Sequence, residues 1–125
     1  MTPFETAAFC ANLADTKKAK DTLLLDTEPI TSLADYFVIT SVESRTQMRA
    51  LAEEMLKAAK HAGIRPLGTE IDHGGRWTVL DFGDVIVHLF HHEDRQYYQL
   101  ERFWNHATEI PRESWLYEYE QRQAS

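Results

Sequence analysis

The chain has a single cysteine, Cys10, so no disulfide can form within it. Its stability must come from a packed core, and a reducing compartment suits it. Glycine and proline are scarce, at five and four residues, which excludes a linker or a low-complexity chain. No apolar run approaches the ~20 residues that a membrane-spanning helix needs. Met1–Lys20 has no basic start followed by an apolar stretch, and Glu5 interrupts the place where one would lie. The expected location is therefore the cytoplasm. Basic side chains are outnumbered, 13 against 20, for a net charge of −7. Such a surface repels bare nucleic acid, because phosphate binding needs clustered Lys and Arg. The charge itself leaves two readings open, plain solubility or an acidic patch for a basic partner.

What the chain does contain is one domain's worth of patterned sequence. Its 125 residues are enough for one core and too few for two. Pro3, Phe4, Ala7, Ala8, Ala11 and Leu13 read as a first helix, with Lys17, Lys18 and Lys20 near its end to complement the dipole. Asp21–Asp26 and Tyr36–Thr40 read as strands, the second β-branched and aromatic. Ser44 with Gln47 matches a capping box. Met48, Leu51, Ala52, Met55, Ala59 and Ala62 then follow at helical spacing up to Gly63 and Pro66. Leu67–Ile71 is expected to be a short strand. Trp77–Phe82 and Val85–Phe90, with Gly83-Asp84 between them, form an expected β-hairpin in the middle of the sheet. From His92 the pattern turns helical again, with Tyr97, Leu100, Phe103 and Trp104 on one face. The order α-β-β-α-β-β-β-α describes a single α/β domain, a mixed sheet covered by helices.

Few residues offer chemistry. Asp81 and Asp84 flank the hairpin turn, and two nearby carboxylates can hold magnesium. Transferase sites, however, favour an acidic pair two residues apart on one strand face, and here the spacing is three and crosses a turn. The plainer expectation is that Asp84 serves the turn and Asp81 is a half-exposed strand residue. His88, His91 and His92 cluster beside Glu93, but His91 and His92 are adjacent and should diverge, so no three ligands converge. Cys10 reads as a small buried hydrophobe. No metal or other cofactor is implied. Alternation places Trp77, Val79 and Asp81 on one sheet face and Thr78, Leu80 and Phe82 on the other. If the second set meets the helices, Trp77 lies on an outer face with an acidic neighbour, as protein-binding patches often do. A sheet covered on both sides would make Trp77 core instead, and the pattern alone does not choose.

Several ordered segments carry a family resemblance. They are Asp35-Tyr36-Phe37-Val38-Ile39, then Ser41 and Ser44-Arg45, then Ala62-Gly63-Ile64-Arg65-Pro66-Leu67. The strongest is the run from Trp77 to Phe90, with Asp81, Gly83-Asp84 and Val85-Ile86-Val87-His88. Arg95, Tyr97-Tyr98, Leu100-Glu101-Arg102 and Trp104 close the series. Together, over about Pro3–Trp104, they resemble the Iojap family of ribosomal silencing factors.

The resemblance implies a nucleotidyltransferase-like fold that has lost its active site, and a protein that is not an enzyme. It implies a translational repressor that binds the large ribosomal subunit through large-subunit protein fourteen and blocks joining of the small subunit. Carried over residue by residue, it makes Trp77 an interface anchor with Tyr98 beside it; Glu70, Asp81 and Asp84 join them as acidic contacts, partly on the charge argument that a basic partner would meet an acidic rim. A homodimer through the same face is a further expectation. A retained nucleotide-binding or nucleotidyltransferase activity is the alternative. The family often has a small apolar residue where Thr40 stands. The domain is expected over 1–110, with 111–125 as a C-terminal tail or short helix. Trp115, Tyr117 and Tyr119 in that tail are expected to cover the core rather than to swap onto a partner.

Overall fold

The first helix begins where Thr2 can cap it. In the computed structural model, which describes residues 1–72, 74–95 and 106–124, α1 spans Pro3–Thr16. Thr2 Oγ1 accepts the Glu5 N–H at 3.1 Å, and Glu5 Oε1 accepts the Thr2 N–H at 2.8 Å. This is a complete capping box. The Thr2 N–H and the Arg122 guanidinium hold the Glu5 carboxyl down to about 2. The lysines expected near its end follow directly after its last turn. Lys17 is the C-cap, Lys18 takes a positive φ of 66°, and Lys20 opens β1 (Lys20–Asp26).

β2 (Tyr36–Val42) pairs antiparallel with β1, with one irregularity in register between Lys20 and Leu23. Thr40 on β2 is fully buried, yet its hydroxyl is satisfied. It lies 2.7 Å from Thr22 Oγ1 and donates to the Lys20 carbonyl at 3.2 Å, so a polar residue fits there.

α2 (Arg45–His61) starts at Ser44, whose Oγ accepts the Gln47 N–H at 3.0 Å. Gln47 Oε1 returns to the N–H of Glu43 at 2.8 Å, not to that of Ser44, so the expected box closes one residue upstream. Met48, Leu51, Ala52, Met55 and Ala59 are buried as one stripe. Ala62, expected in that stripe, is instead the exposed C-cap. Gly63 follows at φ 80°. Its N–H donates to the Lys60 carbonyl at 3.1 Å, and the Ile64 N–H donates to Ala59 at 2.8 Å. These two bonds make a Schellman stop, which needs the left-handed conformation that glycine takes without strain.

The remaining elements are β3 (Gly68–Asp72), β4 (Trp77–Asp81), β5 (Val85–His91), β6 (Thr108–Ile110) and α3 (Arg112–Ala124). They complete a six-stranded sheet of order β3-β4-β5-β2-β1-β6. β2 and β5 run parallel, and the other neighbours are antiparallel. The fold is thus α/β with a mixed sheet, as expected, and β4–β5 is an interior hairpin. β6 was not expected. The helix expected from His92 is a turn over 92–95, and its other residues, with Tyr97, Leu100, Phe103 and Trp104, lie outside the described residues.

One sheet face carries α1 and α2. Ala8, Cys10 and Ala11 from α1 and Met48 and Met55 from α2 meet Val38, Leu80, Val87 and Leu89 in one cluster. Burial pushes the Cys10 thiol up to about 12, which makes it an inert packing residue. α3 packs on α1, and its Trp115 belongs to the same cluster at 1% exposure. The opposite sheet face holds a second cluster of Leu25, Phe37, Ile39 and Phe90, with Ala34. None of the described helices is long and apolar enough to cross a membrane.

Candidate protein-binding site

The hairpin turn sets the geometry of the site. The Phe82 N–H donates to the Val85 carbonyl at 2.9 Å, leaving Gly83-Asp84 as the loop. Gly83 sits at φ 87°, and Asp81 Oδ1 accepts its N–H at 2.8 Å. Asp81 therefore closes the turn, not Asp84 as expected. An aspartate accepting from the N–H two residues on is a common turn device. Asp84 is exposed at the turn, and its carbonyl accepts the N–H groups of Asp35 at 2.8 Å and Tyr36 at 3.1 Å. These bonds tie the hairpin to the start of β2.

A two-residue loop fixes the register of the whole hairpin. Trp77 stands opposite Phe90, Val79 opposite His88 and Asp81 opposite Ile86. On the other side Glu70 stands opposite Val79, and Gly68 opposite Asp81. Paired residues share a sheet face, so Glu70, Trp77, Val79 and Asp81 lie together. Thr78 and Leu80 are buried on the helix side. Glu70 is exposed and diagonal to Trp77, within reach of a long side chain. Asp81 lies four residues from Trp77, about 13 Å along the strand. Asp84, in the loop beyond it, is at the opposite end of the hairpin from Trp77. Tyr98 lies outside the described residues.

Trp77 is neither bare nor fully core. It is half-buried against the second cluster. Its ring stacks on Phe90 at 5.2 Å between centroids and on His88 at 6.0 Å. Its Nε1–H donates to His88 Nδ1 at 3.3 Å. His88 also meets the edge of Phe37 at 5.0 Å. His88 thus positions Trp77, a role the residue-by-residue reading missed. The signal was present, because a two-residue turn at 83–84 places position 88 diagonal to position 77.

With Nδ1 accepting, the neutral ring carries its proton on Nε2, which has no hydrogen-bond partner among the described residues. Burial lowers the imidazole pKa from 6.5 to about 4. The unfolded ring takes up a proton below about 6.5, and the folded ring only below about 4. Folded-state stability is therefore expected to fall as pH drops through that window. Urea melts at a series of pH values check this. His88→Phe should flatten the slope relative to wild type, and equal slopes in the two proteins would refute a neutral buried His88.

The open end of the hairpin is clamped by charge. Arg76 pairs with Asp94 and with Glu93 Oε2, the latter at 3.3 Å. Contrary to expectation, His91 and His92 do not diverge. Their rings stack at 4.8 Å, because His91 ends β5 and His92 begins a turn, so strand alternation does not apply. Together with Glu93 they are the group of potential metal ligands among the described residues. The Arg76 guanidinium lies 3.3 Å from both His91 Nδ1 and Glu93, and a cation there would face a fixed positive charge. Asp81 and Asp84 form no such group among the described residues.

With this geometry established, the relatives of the chain can be compared. The family model for the ribosomal silencing factor during starvation matches residues 2–125, which includes the segment after Pro111. The chain is 42% identical over 97 residues to the Bacillus subtilis ribosomal silencing factor RsfS, covering 78% of this chain and 82% of that one. It is 37% identical over 106 residues to the RsfS protein of Halalkalibacterium halodurans, covering 85% and 91%. The crystal structure of protein CV0518 from Chromobacterium violaceum superposes with a TM-score of 0.78 at 32% identity, over 84% of this chain and 88% of that one. On these matches the chain belongs to the ribosomal silencing factor family.

Proposed function

We propose that the chain is a cytoplasmic, non-catalytic repressor of translation. It docks on the large ribosomal subunit at large-subunit protein fourteen and keeps the small subunit from joining. The observation that carries this is the fixed Trp77. Its ring is held by His88 and Phe90 on the sheet face away from α1 and α2, with the exposed Glu70 carboxylate diagonal to it. A rigid half-buried aromatic beside acidic groups supplies an anchor that loses little entropy on binding. Glu70 and Asp81 would face a basic partner, and Tyr98 would extend the contact. Asp84 stands farther off and would meet only the edge of a large partner. A face of about 800 Å² suffices for a specific complex, and no chemistry is needed. A two-fold dimer through the same face would compete with the ribosome.

Two measurements test this. The protein should co-sediment with isolated large subunits, less so as salt rises. Light scattering on mixing the two subunits should show joining suppressed in proportion to the bound protein. Full joining at saturating protein would overturn the proposal. A thermal shift produced by magnesium with nucleoside triphosphates would favour the alternative, a nucleotide-binding activity.

A further inference from the structure

Among the described residues some Lys and Arg side chains face a carboxylate and others, Lys18 and Lys57 among them, do not. Lys17, Lys20, Arg76, Arg112 and Arg122 each face a carboxylate. Arg45, Arg49, Lys60 and Arg65 make no ion pair or side-chain hydrogen bond among the described residues. These four line one groove. Two adjoining hollows, of about 390 Å³ and about 620 Å³, run between α2 and β3 and share Leu56 and Thr69. Arg45 and Arg49 flank the first, and Lys60 and Arg65 the second. Glu53 is the one carboxylate on the lining among the described residues. The walls between the cations are largely apolar, and Ile71 stands on one of them at 69% exposure.

β3 borders this groove and is the edge strand of the sheet. Its outward backbone groups have no strand partner among the described residues. An edge of this kind accepts an added strand, with affinity from main-chain bonds and specificity from alternate side chains. From Arg45 to Lys60, α2 rises by about 22 Å. That length matches about seven residues of extended chain.

We propose that the groove between α2 and β3 binds an extended acidic segment of a partner protein, in which Asp or Glu alternates with apolar residues. The acidic groups meet the cations at the two ends of the groove, and the apolar side chains lie on Leu56 and Ile71 between them. A polynucleotide fits less well, because the walls are apolar and the molecule as a whole carries −7. Thr69 and Ile71 point to the side of β3 opposite Glu70, so the groove and the Trp77 face are separate and can be occupied together.

The test is a display library of short random peptides panned against the full chain. Recovered sequences should combine apolar residues with Asp or Glu. A recovered peptide, labelled with fluorescein, should bind saturably and lose roughly tenfold or more in affinity to the Arg49→Glu/Arg65→Glu variant. It should bind the Trp77→Ala variant as it binds wild type. Both arginines are exposed, and Arg49→Gln/Arg65→Gln repeats the measurement should charge reversal disturb folding. Recovered peptides without acidic residues overturn the proposal, as does full affinity in both arginine variants. Poly-uridine displacing the peptide would assign the groove to nucleic acid. Self-association that disappears in the arginine variants would assign it to a second copy of the chain.

Discussion

Replacing Trp115 by alanine is expected to destabilise the fold by about 3–5 kcal/mol, the range for a large aromatic removed from a packed site. Trp115 is 1% exposed and is the largest of the fully buried side chains among the described residues. It sits where α3 crosses α1, and the Arg112 guanidinium lies 5.7 Å from its ring centroid. No other large side chain of α3 is fully buried among the described residues. Tyr117, two residues on, is 62% exposed, and Tyr117→Ala should change little by comparison. Urea denaturation followed by circular dichroism measures both. A Trp115→Ala loss below about 0.5 kcal/mol, the level of an ordinary surface change, would mean that α3 is not part of the cooperative unit.

The second large effect concerns binding. Trp77→Ala should weaken association with the large subunit by about 2 kcal/mol or more, roughly 30-fold in Kd. Trp77 is also half-buried against Phe90 and His88, so the substitution reduces stability too, and the variant must first be shown to be folded. Trp77→Phe separates the contributions. It keeps a ring against Phe90 but loses the Nε1–H bond to His88. It should therefore lie between alanine and wild type in affinity. Co-sedimentation of each folded variant with isolated large subunits gives the ranking. Unchanged binding of a folded Trp77→Ala variant would remove Trp77 from the interface.

What was legible in the sequence was local. The hairpin, the α2 stripe and the Gly63 stop depend on residues a few positions apart, where periodicity and turn chemistry act directly. The face shared by Trp77, Val79 and Asp81 followed from strand alternation. How far Trp77 is covered did not follow, because that depends on Phe90 and His88 across the ladder. That Asp81, itself the half-exposed strand residue expected, also caps the turn lay in one hydrogen bond from Gly83, which composition cannot assign. β6 is three residues long and pairs with β1 more than eighty positions earlier, too short to show a period and too distant to show a partner. The capping box at Thr2 and Glu5 is equally local, a threonine with a glutamate three residues on.

The pairing of α3 with α1 joins the first and the last of the described helices. Arg112 holds Asp15 at 2.7 Å, Arg122 reaches Glu5, and Phe9 meets Tyr119 at 6.4 Å between ring centroids. Synthesis is vectorial, and domains fold from the N-terminal side first. α1 is therefore made well before the helix that covers it. Until α3 follows, the α3-facing side of α1 stays uncovered. A messenger truncated before Arg112 would yield a chain with an exposed apolar stripe, a substrate for chaperones and proteases rather than a shortened regulator.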